Sequence, residues 1–153
     1  MTPFISKILS RDCITVQHNQ TLRDVAKTLT ENSIGAVPVL DGFGALVGIL
    51  SERDLVQSLP HDIDLDSHMA SDLMTTDLIV TTAEVTSSDL MKLMTDHKIR
   101  QIPIVQEDLL LGIVSIGDVV KRLLEKLERE TEQLRTFINS CRVYFCASGL
   151  TNR

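Results

Sequence analysis

The chain has no tryptophan, and aromatic residues make up only 3% of its 153 positions. Single-stranded nucleic acid is gripped largely by stacking on aromatic rings, so this composition argues against such a platform. Cations are also scarce, with 15 Lys and Arg against 21 Asp and Glu, for a net charge of -6. That balance argues against a general binder of phosphate backbones and leaves room only for a local basic pocket. The cysteines are few. Cys13, Cys141 and Cys146 fit no zinc or redox spacing. They read as free thiols of a reducing compartment. No apolar run approaches the length of about 18 residues that a membrane span needs. The start, Met1-Thr-Pro-Phe-Ile-Ser-Lys7, lacks the apolar core of a secretory signal. A cytoplasmic protein that binds neither nucleic acid nor membrane is expected.

What the chain does have is an internal repeat. Residues 14–56 and 79–120 follow one pattern at an offset of 65 residues, falling to 64 after the proline-containing segment. Ser6 falls on Ser71, Asp12 on Asp77, Ile14 on Ile79, Thr21 on Thr86, Asp24 on Asp89 and Pro38 on Pro103. Later, Gly48 falls on Gly112, Ser51 on Ser115, Asp54 on Asp118 and Val56 on Val120. Each unit alone would bury too small a fraction of its surface to be stable, so the two should fold as one body. Two similar units packed about a pseudo-twofold axis create two equivalent clefts.

Each repeat reads as strand, helix, strand, strand, helix. In the first, Cys13–Val16 is β-branched, and Thr21-Leu-Arg-Asp24 opens a helix with the apolar stripe Leu22, Val25, Ala26 and Leu29. Ala36–Leu40 is a buried strand, Asp41–Gly44 a hairpin turn, Leu46–Leu50 the return strand, and Ser51 caps a helix to about Ser58. In the second, Ile79–Thr81, the start at Thr86, Ile102–Val105, Leu109–Val114 and the cap Ser115 correspond. The fold class is α+β: two tandem β-α-β-β-α units with pseudo-twofold symmetry and a C-terminal helical extension. The expected divisions are 1–58, a linker at 59–69, 70–124, a helix at 125–140 and a loose tail at 141–153. Leu123, Leu124, Leu127, Leu134, Phe137 and Ile138 recur at helical spacing, so the last helix should outlast its repeat. Its stripe either packs back on the domain or pairs with a second chain. Met69, Met74, Met91 and Met94 read as core filler at the repeat interface.

Twice the chain runs Gly-h-h-Ser-x-x-Asp, as Gly48-Ile-Leu-Ser-Glu-Arg-Asp54 and Gly112-Ile-Val-Ser-Ile-Gly-Asp118. Each run follows a Val/Ile-Pro-Val/Ile strand, and Ile5-Ser-Lys-Ile-Leu9 and Ala70-Ser-Asp-Leu-Met74 precede the two units. This order of motifs resembles the CBS domain, over Phe4 to about Leu124. The resemblance implies a pseudo-twofold pair that binds an adenosine ligand (AMP, ADP, ATP or S-adenosylmethionine), performs no chemistry and needs no obligatory cofactor. It also implies a homodimer and a regulated partner the sequence does not name.

By that resemblance Asp54 and Asp118 hold ribose hydroxyls, and Ser51 and Ser115 lie near phosphate. A carboxylate can accept from two adjacent hydroxyls, and a helix start favours phosphate. Gly48 and Gly112 would let the backbone approach a ligand closely. The same Ser-x-x-Asp is also a helix-capping box, and the two roles are compatible. The Asp54 site is expected to draw on Ser51, Arg53, Lys98, Arg100 and Gln101, with Ile79, Ile99, Ile102 and Pro103 as apolar walls. The Asp118 site is expected to draw on Ser115, Ile14, Gly35, Ala36, Val37 and Pro38, without a cation of its own. One competent nucleotide site is therefore expected at Asp54, and the Asp118 site is expected to be weak, empty or suited to a neutral adenosine moiety. The other reading is a nucleotide-independent dimerisation scaffold with vestigial clefts. An enzyme is not expected: no nucleophile–base pair, metal set or Gly-x-x-x-x-Gly-Lys loop is present.

Overall fold

The structure, a computed structural model, describes the backbone of residues 1–147 and the side chains of residues 1–140. The first repeat contains β1 (Val16–Gln17), α2 (Leu22–Glu31), β2 (Ala36–Leu40), β3 (Leu46–Ser51) and α3 (Glu52–Ser58), preceded by α1 (Pro3–Leu9). Its strands lie in the order β1-β2-β3, the first pair parallel and the second antiparallel. The second repeat contains α5 (Ser87–His97), β4 (Gln101–Gln106), β5 (Leu109–Ser115) and α6 (Ile116–Ala147), preceded by α4 (Ala70–Leu73). Its sheet is the antiparallel pair β4-β5.

Local chemistry sets these boundaries. The Thr21 hydroxyl accepts from the Asp24 amide at 3.2 Å, and the Thr86 hydroxyl accepts from the Asp89 amide at 3.1 Å, so each repeat's first helix starts at a side-chain cap. Those helices are followed by Ser33 (φ 53°) and Lys98 (φ 55°), both left-handed and both at the same place in the repeat. A residue in that conformation ends a helix and re-aims the chain. The repeat is therefore kept in the backbone as well as in the residues.

Two expectations are corrected. The first strand of repeat two, expected at Ile79–Thr81, shrinks to a single parallel bridge between Thr81 and Ile104. A turn in which the Val85 amide donates to the Thr82 carbonyl follows at once and ends the pairing. The segment expected as a loose tail from Cys141 is still helical, because α6 continues to Ala147; residues 148–153 lie outside the described residues.

The apolar cores show how the repeats are joined. One core gathers Leu90, Met94, Ile102, Ile104, Val114 and Val119 of the second repeat, and into it go Ile5 and Ile8 of α1. The other gathers Leu22, Val25, Leu29, Val37, Val39 and Leu50 of the first repeat, with Ala70 of α4. Each short helix thus packs into the repeat that it does not precede. Fully burying an Ile is worth roughly 1.5–3 kcal/mol, so α1 contributes substantially to the second core. The segment 62–69 is held as well: the Leu22 amide donates to the His68 carbonyl at 2.9 Å and the Arg23 amide to the Leu65 carbonyl at 3.0 Å. Arg23 also forms an ion pair with Asp66. The stretch expected as a linker is an ordered strap along α2. Of the methionines, Met94 is buried and Met74 and Met91 pack against the cores, whereas Met69 is exposed.

Gly48 and Gly112 also have a packing role that their spacing did not reveal. A Cβ at Gly48 would lie 2.5 Å from the Met74 Sδ and 3.0 Å from its Cβ, and one at Gly112 would lie 2.9 Å from a Leu9 methyl carbon. Leu9 and Met74 are equivalent positions at the ends of the exchanged segments. The glycines are therefore gaps that admit the crossing side chains, and Gly112 also borders a cavity between the repeats. Overpacking of this kind costs about 1–3 kcal/mol. Gly48→Ala should therefore lower the thermal midpoint by several degrees, at roughly 2–4 °C per kcal/mol. Met74→Ala in the same chain should restore part of the loss, as calorimetry would show.

Candidate functional site

Both Ser-x-x-Asp runs close as capping boxes. The Asp54 Oδ2 accepts from the Ser51 amide at 2.7 Å and from the Ser51 hydroxyl at 2.6 Å. The Asp118 Oδ2 accepts from the Ser115 amide at 3.1 Å and from the Ser115 hydroxyl at 2.7 Å. Each carboxylate thus spends one oxygen on the helix start and presents the other elsewhere. The first amide of each helix is also committed, Glu52 donating to the Gly35 carbonyl at 2.9 Å and Ile116 to that of Arg100 at 2.8 Å. Fewer helix-start N–H groups face a phosphate than the motif alone suggests.

A cavity of about 300 Å³ opens on the Asp118 side, between the two repeats. Ile14, Gly35, Ala36, Ser115 and Asp118 line it, as expected from the sequence. Val37 and Pro38 do not; both are fully buried, because β2 is enclosed on both faces. Gln101, assigned from sequence to the Asp54 site, lines this cavity instead. Its amide nitrogen would lie 3.5 Å from a Cβ placed on Gly35, so the side chain reaches across to the other repeat.

The expectation that this site lacks a cation is overturned. Arg11 follows α1, and its Nη1 donates to the Asp118 Oδ1 at 2.7 Å. Burial works to raise the Asp118 carboxyl, but hydrogen bonds from the Ser115 hydroxyl, Arg11 and the Ser115 amide outweigh it and hold it below its ordinary value. The sequence did carry a signal: Arg11 stands at the repeat position occupied by Thr76 in the other copy, so the cation is a difference between repeats. Asp12 and Cys13 complete the rim, and burial pushes the Cys13 thiol up.

On the other side, Ser51 and Asp54 are half-buried and Arg53 is exposed. Lys98 and Arg100 are exposed and Ile79 and Ile99 half-buried. Ile102 and Pro103 are buried, Ile102 within the second core. The cations expected at Asp54 are thus all exposed. Among the described residues no three His, Cys, Asp or Glu side chains are grouped to hold a metal ion. No helix there is long and apolar enough to cross a membrane.

The CBS domain pattern matches residues 5–61 and 70–125. The chain belongs to the CBS-domain family. It is 34% identical over 125 residues to a mitochondrial CBS domain-containing protein of Arabidopsis thaliana, covering 78% of this chain. The chain spans 61% of that relative's length. Its fold matches a CBS-domain protein of Agrobacterium tumefaciens with a TM-score of 0.72 at 34% identity, over 77% of this chain and 88% of the other. It also matches the CBS domain pair of protein MJ0100 in complex with 5'-methylthioadenosine and S-adenosyl-L-methionine, with a TM-score of 0.72 at 25% identity, over 80% and 96% of the two chains. CBS pairs are generally regulatory modules without catalysis.

The Arg11–Asp118 contact makes a pH prediction. Asp118 has a folded-state value below its unfolded one, so its stabilisation is present above the unfolded value and is lost as pH falls through the folded one. Asp118→Asn should therefore flatten the acid side of the stability–pH curve relative to wild type, measured by urea unfolding from neutral pH downward. Arg11→Ala should flatten it less, because the Ser115 hydrogen bonds remain.

Proposed function

We propose that this CBS pair is a sensor of adenosine ligands whose occupancy alters the packing of the repeats and, through it, a regulated partner. The observation that carries the reading is the cavity at Asp118. At about 300 Å³ it stands at the small end of ligand sites. It is lined by a carboxylate for hydroxyls and by apolar Ile14, Ile34 and Ala36 for a planar base. Its charge narrows the ligand. One cation, Arg11, faces two carboxylates, Asp12 and Asp118, a balance that repels a polyphosphate and suits a neutral or cationic adenosine derivative. The ligands named for the MJ0100 pair, a thioether and a sulfonium of adenosine, belong to that class. Phosphorylated nucleotides fit the Asp54 side better, where Arg53, Lys98 and Arg100 can fork or point at phosphate.

A binding event that shifts the packing must favour one arrangement of the repeats. Arg11 supplies such a preference: a ribose that takes the Asp118 Oδ1 displaces the guanidinium and loosens the end of α1, which is anchored in the second core. A second reading, a self-associating scaffold, is favoured by the exposed apolar side chains of α6, among them Leu127, Leu134 and Phe137. The two readings are compatible, and the homodimer belongs to both.

Thermal unfolding with AMP, ADP, ATP and S-adenosylmethionine tests the sensor. A ligand at 100 times its dissociation constant adds about 2.7 kcal/mol, or a shift of several degrees at roughly 2–4 °C per kcal/mol. The S-adenosylmethionine shift should vanish in Asp118→Ala, and any nucleotide shift should vanish in Asp54→Ala. No shift with any of the four at millimolar concentration would sink the sensor reading.

A further inference from the structure

The last helix carries a pattern that the ligand clefts do not use. Val119 and Leu123 of α6 pack onto the second core. From Lys126 to Ser140 every residue is exposed, a length of roughly 22 Å at 1.5 Å per residue. Helices in proteins draw most of their stability from packing an apolar face, and this stretch has one. Val120, Leu124, Leu127, Thr131, Leu134 and Ile138 are separated by alternating steps of four and three residues. That is the spacing of a coiled-coil seam, with Leu123 and the exposed Phe137 beside it at the flanking position. The apolar members of the seam are between 41% and 63% exposed.

We infer that α6 pairs with α6 of a second copy of this chain, as a parallel, in-register two-stranded coiled coil. The choice of occupant rests on the seam and on charge. In the heptad abcdefg, Leu124, Thr131 and Ile138 take position a, and Val120, Leu127 and Leu134 take position d. Two of the three a residues are β-branched and two of the three d residues are Leu, the combination that favours two parallel strands. Glu130 falls at g and Arg135 at the following e, so a parallel partner sets each Glu130 beside the Arg135 of the other copy. Parallel register also faces Thr131 with its own counterpart, while antiparallel register would set it against a leucine. The ion pairs Arg122–Glu125 and Glu125–Arg129, at 3.8 Å and 4.0 Å, stay on the outer face, while Glu130 lies 4.0 Å from Lys126 of its own helix, a long pair that the Arg135 of a second copy would share or replace. This inference rests on the self-association reading, and it involves no ligand.

The test uses the full chain with Cys13, Cys141 and Cys146 replaced by Ser. Leu134→Cys in that background should convert to a disulfide-linked dimer under mild oxidation, while Glu132→Cys, on the outer face, should not. Separately, Glu130→Lys should weaken the dimer several-fold in sedimentation, and Arg135→Glu added to it should restore the affinity. A sedimenting dimer in which Leu134→Cys fails to cross-link would leave self-association standing and remove the coiled coil. Equal cross-linking at both positions, or a monomer at all concentrations, would overturn the inference as well.

Discussion

The exchange of α1 and α4 between the two repeats is the constraint on which the rest of the molecule depends. Ile5 and Ile8 complete a core made by the second repeat, and Ala70 completes one made by the first. Each repeat's core thus includes side chains from the segment ahead of the other, and two units this small are better stabilised as one body than apart. The crossing side chains, Leu9 and Met74, pass where Gly112 and Gly48 leave space for them. The same crossing brings Arg11, just beyond α1, beside Asp118 at the end of the second sheet. The interlock that holds the fold therefore also supplies a charged side chain to the cleft.

The carboxylates of the two motifs serve structure and site together. Each caps its helix through one oxygen and its serine, which leaves the other oxygen for further contacts. At Asp118 that oxygen is taken by Arg11, which lowers the local charge and ties the carboxylate to the α1 segment. Arg53, next to Asp54 in the chain, is exposed. The pair is thus electrostatically unequal although the backbone is nearly repeated. The inequality comes from single positions, Arg11 against Thr76 and Arg53 against Gly117, rather than from any difference in architecture.

The helix α6 belongs to the domain only through its first two turns. Beyond them it exposes Leu127, Leu134, Phe137 and Ile138 among charged residues, the face on which the proposed pairing rests. The clefts and the seam are consequently separate devices. A change at α1 reaches the second core, against which Val119 and Leu123 of α6 also pack, so the two devices share one rigid element without sharing residues.

Much of this was legible in the chain itself. The doubled pattern, the capping residues Thr21, Ser51, Thr86 and Ser115, the hairpins, and the continuation of the last helix all follow from short-range spacing, because helix starts, turns and stripes are local in sequence. The pairing of Asp54 and Asp118 with their serines was legible for the same reason. What local spacing could not reveal is which repeat each short helix enters, since Ile5 and Ile8 are apolar whichever core they fill. It could not reveal that Gly48 and Gly112 make room for Met74 and Leu9, that Gln101 reaches the opposite cleft, or that Arg11 meets an aspartate 107 residues away. Those contacts exist only once the chain crosses over, and long-range packing alone decides where an exchanged segment comes to rest.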